Sequence, residues 1–182
     1  MMIEFTEFPK IARLMREIVV TEKIDGTNAQ IYISDPDVNG EVEFVVGSKN
    51  RHITADNDHH GFAAWAELNK QELLKLGPGL HFGEWWGKDV GRKYNIDENR
   101  FSLFNTGRWT KERPACCHVV PILYQGMFDT GKIKEAIESL AANGSVAAPG
   151  FDRPEGIVVF HVAANICFKQ TIGNDGHKGN KK

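Results

Sequence analysis

The chain has 182 residues, 41% hydrophobic and 25% charged, with a formal net charge of −2 at pH 7. That is long enough for one domain with a substantial core, in a composition that excludes disordered and fibrous classes. The near-neutral sum argues against nucleic-acid binding by bulk charge, and no apolar run approaches the ~20 residues of a membrane span.

Three cysteines, Cys116, Cys117 and Cys167, do not form a disulfide framework, so a reducing, cytoplasmic compartment is expected. Cys116-Cys117-His118 lacks the spacer of a zinc knuckle and reads as strand core. The first sixteen residues carry acidic groups and no long apolar region, unlike a signal peptide. Charge is unevenly placed. Lys88 to Arg113 holds seven Lys/Arg against four Asp/Glu, and Asp175 to Lys182 holds Lys178, Lys181 and Lys182 against Asp175. Either stretch reads as a local phosphate-holding surface or as a solvated loop and a frayed tail.

In chain order, Phe5 to Glu17 admits a helix with Phe8, Ile11, Ala12 and Met15 on one face and Pro9 in its first turn. The apolar run Ile18-Val19-Val20 then predicts a strand, and the alternating Ala29-Gln30-Ile31-Tyr32-Ile33 a second. Between them lies Glu22-Lys23-Ile24-Asp25-Gly26-Thr27-Asn28, in which a strand delivers a lysine to a tight Asp-Gly turn. Such a lysine is either a nucleophile whose pKa is lowered by its surroundings or an exposed side chain in a hairpin. Turn residues from Asp35 to Gly40 precede a strand over Glu41 to Val46, which ends at Gly47-Ser48-Lys49-Asn50-Arg51-His52.

Gly61 to Leu76 predicts a helix with Phe62, Trp65, Ala66, Leu73 and Leu76 on one face, interrupted by Asn69 and stopped at Gly77-Pro78-Gly79. Strands are expected over Leu80 to Trp86, Arg100 to Asn105 and Cys117 to Leu123, with Pro121 marking an edge or a bulge. Asp129 caps a helix to about Ala142, whose stripe is Ile133, Ala136, Ile137, Leu140 and Ala141, closed by Asn143-Gly144. Two further strands, Gly156 to Val162 and Asn165 to Thr171, complete about eight strands and two or three helices. That order predicts an α+β fold with antiparallel sheets.

Four charged residues lie inside otherwise apolar strand patterns: Lys23, Glu84, Glu155 and Lys169. A charge so placed costs several kcal/mol if unpaired. The two lysines and two carboxylates either compensate one another as ion pairs or surround a polyphosphate and its metal.

Together these motifs resemble the covalent nucleotidyltransferases, the superfamily of ATP-dependent ligases and capping enzymes. Lys23-Ile24-Asp25-Gly26-Thr27-Asn28 matches the nucleophile motif, and its Thr-Asn ending after Glu22 is similar to the T4 RNA ligase 2-like and editing-type RNA ligases. Gly83-Glu84 resembles the third motif, Phe101 to Asn105 the adjoining aromatic strand, Glu155-Gly156 the fourth and Phe168-Lys169 the fifth. The matches run in the family's order from Glu22 to Lys169.

The resemblance implies a nucleotidyltransferase fold, an adenylyltransferase domain over residues 1–172 and a basic tail over 173–182. It implies ATP with Mg²⁺ or Mn²⁺, and RNA as partner, whether a nicked duplex or an RNA/DNA hybrid. Lys23 would attack the α-phosphorus of ATP, and Lys169 would contact the α-phosphate. Glu84 and Glu155 would place the cation, Glu155 also lying beside the nucleotide. Arg51, assisted by Lys49, would grip a phosphate. Phe104 would stack on adenine or, equally, be a core aromatic. Glu22, Ile24 and Asn28 would shape the nucleotide pocket or meet the RNA end.

Two features depart from the family. Thr171 stands where the fifth motif's second lysine is usual, with Lys178 a possible substitute, and only 13 residues follow Lys169. The expectation is a bare adenylyltransferase domain without an oligonucleotide-binding barrel, with strand capture by its own surface or a protein partner. The alternatives are a minimal DNA ligase and a nucleic-acid end-binding protein that has lost turnover.

Overall fold

The structure is a computed structural model that describes residues 3–110 and 112–173. Lys111 and the tail beyond Gly173, including Lys178, lie outside the described residues. In chain order the elements are β1 (Glu17–Lys23), β2 (Thr27–Ile33), β3 (Phe44–Ser48), β4 (His52–Ile53), α1 (Phe62–Leu68) and α2 (Lys70–Leu73). There follow β5 (Gly79–Gly87), β6 (Asn99–Leu103), β7 (Cys117–Val119), β8 (Ile122–Met127), α3 (Thr130–Asn143), β9 (Gly156–His161) and β10 (Ile166–Thr171).

The strands form two sheets. One has the order β10-β9-β1-β8, the other β4-β3-β2-β5-β6-β7. The six-stranded sheet is thus one continuous block of sequence inserted between β1 and β8, and the chain crosses between sheets at residues 24–26 and at 120–121. The crossings touch: the Glu22 amide donates to the Pro121 carbonyl at 3.0 Å. All pairings are antiparallel except β6–β7, which is parallel. The α+β class with antiparallel sheets stands, with this one parallel exception.

Hydrophobic alternation decides which faces close. Ala29, Ile31, Trp85, Phe101, Leu103 and Cys117 point from the larger sheet onto α1, where Phe62 packs on Trp85 and Phe101 with ring centroids 5.4 and 5.1 Å apart. Ile18, Val20, Ile157 and Val159 point from the smaller sheet onto Ala136 and Leu140 of α3. A third cluster, Ile24, Trp86, Tyr94, Val120, Ala148 and Phe151, fills the seam beneath the crossings.

The structure revises several expectations. β1 and β2 belong to different sheets, so the Asp-Gly turn closes no hairpin. The helix expected over 61–76 breaks at Asn69, whose side-chain amide donates to the Trp65 carbonyl and competes with the helical bond that its own N–H makes to that oxygen. The strand expected over 117–123 splits between the sheets at Pro121, which has no N–H to continue a ladder. Residues 5–17 form no helix, and Phe5, Phe8, Ile11 and Met15 stay exposed, with nothing buried against the segment to hold a short helix together. The Asp129 cap forms as expected, its carboxylate accepting from the Gly131 and Lys132 amides, and Gly144 ends α3 with φ +84°.

Candidate active site at the sheet crossing

Lys23 is the last residue of β1, where the chain leaves the smaller sheet. Its Nζ donates to Glu155 Oε2 at 2.6 Å. Glu155 immediately precedes β9, and Lys23 pairs with Gly156 in register, so the two partners sit on neighbouring strand ends. Both side chains remain partly open, at 23% and 16% exposure.

Glu84, in the middle of β5, approaches the same crossing from the larger sheet. Its Oε1 accepts from the Gly26 amide at 3.0 Å and its Oε2 from Asn28 Nδ2 at 3.1 Å, Asn28 being its register partner on β2. Gly26 carries no side chain because a Cβ there would collide with the Trp85 carbonyl. Glu84 is only 8% exposed. Burial pushes its carboxyl up to about 7; Lys23 and the Gly26 amide oppose that rise, while Glu155 and Asp25 add to it.

Glu22 faces the other way. It is 1% exposed, and its carboxylate accepts from Ser145 Oγ at 2.6 Å and from the Val146 and Ala147 amides at 2.9 and 2.8 Å. The side chain expected to line the nucleotide pocket therefore clasps the loop after α3. Ile24 is buried in the seam cluster, which leaves only its backbone to meet a nucleotide.

Lys169 lies on the edge strand β10, exposed, in register with Val158 and, through it, with Thr21. Alternation puts Lys169, Thr171, Thr21 and Lys23 on one face of the smaller sheet. At strand spacings of ~4.8 Å the Lys169 and Lys23 backbones are roughly 12 Å apart, within reach of two long side chains converging on one ligand. Thr171 is level with Lys23 across Gly156.

Phe104 follows β6 directly, and its amide donates to the Phe82 carbonyl at 3.0 Å. It is 41% exposed on the same side of the larger sheet as Glu84, so it is not a core aromatic. Phe82, Leu80 and Tyr32 are exposed beside it, an open apolar sheet face suited to a flat heterocycle. Arg51 lies in the β3–β4 connection, close enough to His59 to act on its charge, its Nη2 donating to the Asn57 carbonyl at 3.2 Å.

Three groups were not singled out from the sequence. His59 meets Thr27 Oγ1 at 2.9 Å, and burial, His60 and Arg51 together lower its pKa. Arg92 lies 3.3 Å from Asp25, and the Tyr94 hydroxyl accepts from the Asp25 amide at 2.7 Å. Only the basic character of the segment around Arg92 was visible beforehand.

No group of three or more His, Cys, Asp or Glu side chains among the described residues forms a ready metal cluster. Glu84 and Glu155 are nonetheless a fitting donor pair for a hard divalent cation that keeps much of its water. Both are oxygen ligands, and Glu84 is a desolvated carboxylate short of positive charge.

A family model described as RNA ligase matches residues 16–172. None of the curated proteins compared matches the chain. Among solved structures, an arginine-to-alanine variant of Naegleria gruberi RNA ligase with ATP and Mn matches with TM-score 0.61 and 20% identity, over 88% of this chain and 51% of that one. The Naegleria gruberi RNA ligase with PPi matches with TM-score 0.58 and 20% identity, over 86% and 49%. A glutamate-to-alanine variant with AMP and Mn matches with TM-score 0.60 and 19% identity, over 87% and 50%. The chain thus spans about half the length of these solved structures, and at such identity the likeness is one of fold.

Proposed function

The chain belongs to the RNA ligase family, and from that premise we propose that it is an ATP-dependent polynucleotide ligase, sealing RNA through an adenylate carried on Lys23. The observation that carries this reading is the hydrogen bond of Lys23 Nζ to Glu155, at 2.6 Å, with the buried Glu84 close enough to feel the lysine's charge. The chain supplies the adenylyltransferase domain of such an enzyme over residues 1–172.

The reaction has three steps. The neutral Lys23 amine attacks the α-phosphorus of ATP; a P–N bond forms, the bond to pyrophosphate breaks, and the amine's proton leaves. An oxygen of a 5′-phosphate then attacks the same phosphorus and frees the lysine. Finally a 3′-hydroxyl attacks the activated 5′-phosphate, a phosphodiester forms, and AMP departs.

An unperturbed lysine, with pKa ~10.4, is neutral in about one molecule in a few thousand at pH 7. The Glu155 contact orients Nζ. A divalent cation, Mg²⁺ or Mn²⁺, bound by Glu84 and Glu155 directly or through water would offset phosphate charge and draw Glu155 away from the amine. Lys169, on β10, adds positive charge that balances the transition state.

Phe104 offers its open ring to adenine, and Arg51 its planar fork to a phosphate. Asn28 orients Glu84. Glu22 acts from behind, holding the loop that packs under the nucleophile strand. RNA is the strand proposed, on the family match and the Thr27-Asn28 ending of the nucleophile motif.

The deciding experiment is incubation with α-labelled ATP or GTP and Mg²⁺, with Lys23→Ala in parallel. Label from ATP should stay on the wild-type protein through denaturation and be missing from the variant. Equal labelling of both would sink the role of Lys23. No label on protein freed of bound AMP, with retained affinity for 5′-phosphorylated ends, would favour an end-binding protein. Preferential sealing of nicked DNA would make it a minimal DNA ligase.

A further inference from the structure

Arg92 reaches both segments that carry the Lys23–Glu155 pair. Its Nε lies 3.3 Å from Asp25 Oδ2, and its Nη1 donates to the Arg153 carbonyl at 3.2 Å. Asp25 is two residues after Lys23, and Arg153 two residues before Glu155. One planar guanidinium therefore spans the two strand ends whose side chains meet at 2.6 Å. A lysine ammonium is a point charge and has no second arm for the other segment.

The loop carrying Arg92 is itself pinned to the nucleophile segment. Gly91 has φ +64°, and any Cβ there would run into the Asp25 carbonyl. Tyr94 accepts the Asp25 N–H, and its ring is wedged between Trp86 and Phe151 at 4.8 and 4.6 Å between centroids. Arg92 and Asp25 are 40% and 37% exposed, and an ion pair so open to water adds little to global stability. A bridge that stabilises little yet joins two reacting segments is placed for geometry.

We propose that Arg92 is a positioning residue for the adenylation step, setting Lys23 against Glu155 by tying Asp25 to the Arg153 carbonyl. The proposal rests on the reading of Lys23 as nucleophile. Arg92 touches none of the reacting atoms, so its effect falls on alignment rather than on nucleotide binding. Misplacing a reacting group by about 1 Å can cost roughly a hundredfold in rate.

The test compares wild type, Arg92→Ala, Arg92→Lys, Asp25→Asn and the Arg92→Ala/Asp25→Asn double variant. Single-turnover adenylation should fall roughly ten- to a hundredfold in R92A, with ATP affinity changed less than about threefold. R92K should recover only part of the rate, and the double variant should be no slower than its slower parent. Amide exchange gives a readout independent of activity. In R92A the Gly26 amide, which bonds Glu84, and the Ile172 amide, which bonds the Glu155 carbonyl at 2.9 Å, should exchange roughly tenfold faster. The Gly144 amide at the end of α3 should keep its protection, which also reports that the variant is folded.

Unchanged exchange at Gly26 and Ile172, or an adenylation rate in R92A within about twofold of wild type, would overturn the proposal. So would full recovery in R92K, since charge alone would then suffice. If wild type forms no adenylate, the nucleophile reading fails instead, and the exchange data still decide whether Arg92 holds the two segments.

Discussion

Lys23 and Glu155 are 132 residues apart in sequence and hydrogen-bonded at 2.6 Å, because β1 and β9 are antiparallel neighbours that pair Lys23 with Gly156. Replacing Glu155 by Gln keeps an acceptor but removes the charge. We expect E155Q to lose about 2 kcal/mol of stability or less and to slow adenylation by tenfold or more. Urea melts and single-turnover labelling would check both. Adenylation at the wild-type rate would remove Glu155 from the chemistry.

Glu84 links stability to pH. Its folded value of about 7 lies above the ordinary 4.5, so the folded state holds the proton more tightly than the unfolded chain. The resulting stabilisation is complete below about 4.5 and is lost as pH rises through 7, a change on the order of 3 kcal/mol. Thermal melts of Glu84→Gln should lack that decline. Added Mg²⁺ should reduce it in the wild type by favouring the ionised carboxylate. An identical pH profile in E84Q would show that Glu84 is not the group responsible.

Glu22 predicts a loss of folding before a loss of chemistry. Its buried carboxylate holds three donors, and Glu22→Ala would strand Ser145 Oγ and the Val146 and Ala147 amides. The expected cost is about 3 kcal/mol or more, against about 1 kcal/mol for Ser145→Ala. Denaturant melts that rank the two variants the other way would contradict the clasp.

Phe104 and Phe101 make a contrasting pair, three positions apart on opposite faces of one face-alternating segment. Phe101→Ala empties a fully buried site and should cost roughly 3–5 kcal/mol. Phe104→Ala removes a ring that is 41% exposed, so stability should change by less than about 1 kcal/mol while ATP binding weakens about tenfold. ATP titration and melting of the two variants separate pocket from core. An unchanged ATP affinity in F104A would withdraw the stacking role.

Local chemistry carried most of the fold class. The apolar alternation that buries Ile18, Ile31 and Phe101, the Asp129 cap and the Gly144 stop act within a few residues, so they can be read without knowing what packs on what. Lys23, Glu84 and Glu155 were legible for a related reason: a charge within or at the end of an apolar run is conspicuous in one dimension because it must be compensated in three. Partnership was not legible. Whether the strands around Asp25-Gly26 form a hairpin or part into two sheets depends on which long-range pairings win, and β1 bonds β8 and β9 rather than β2. The same long-range choice turned Glu22 away from the pocket onto the loop after α3, sank Ile24 into the seam, and brought Arg92 from a polar loop to Asp25 and the Arg153 carbonyl. Which residues carry unusual chemistry, and in what order, is written in the chain's local pattern. Which of them meet is a property of the folded sheets, because hydrogen bonds and ion pairs act over a few ångströms and only strand pairing brings residues so far apart in the chain within that range.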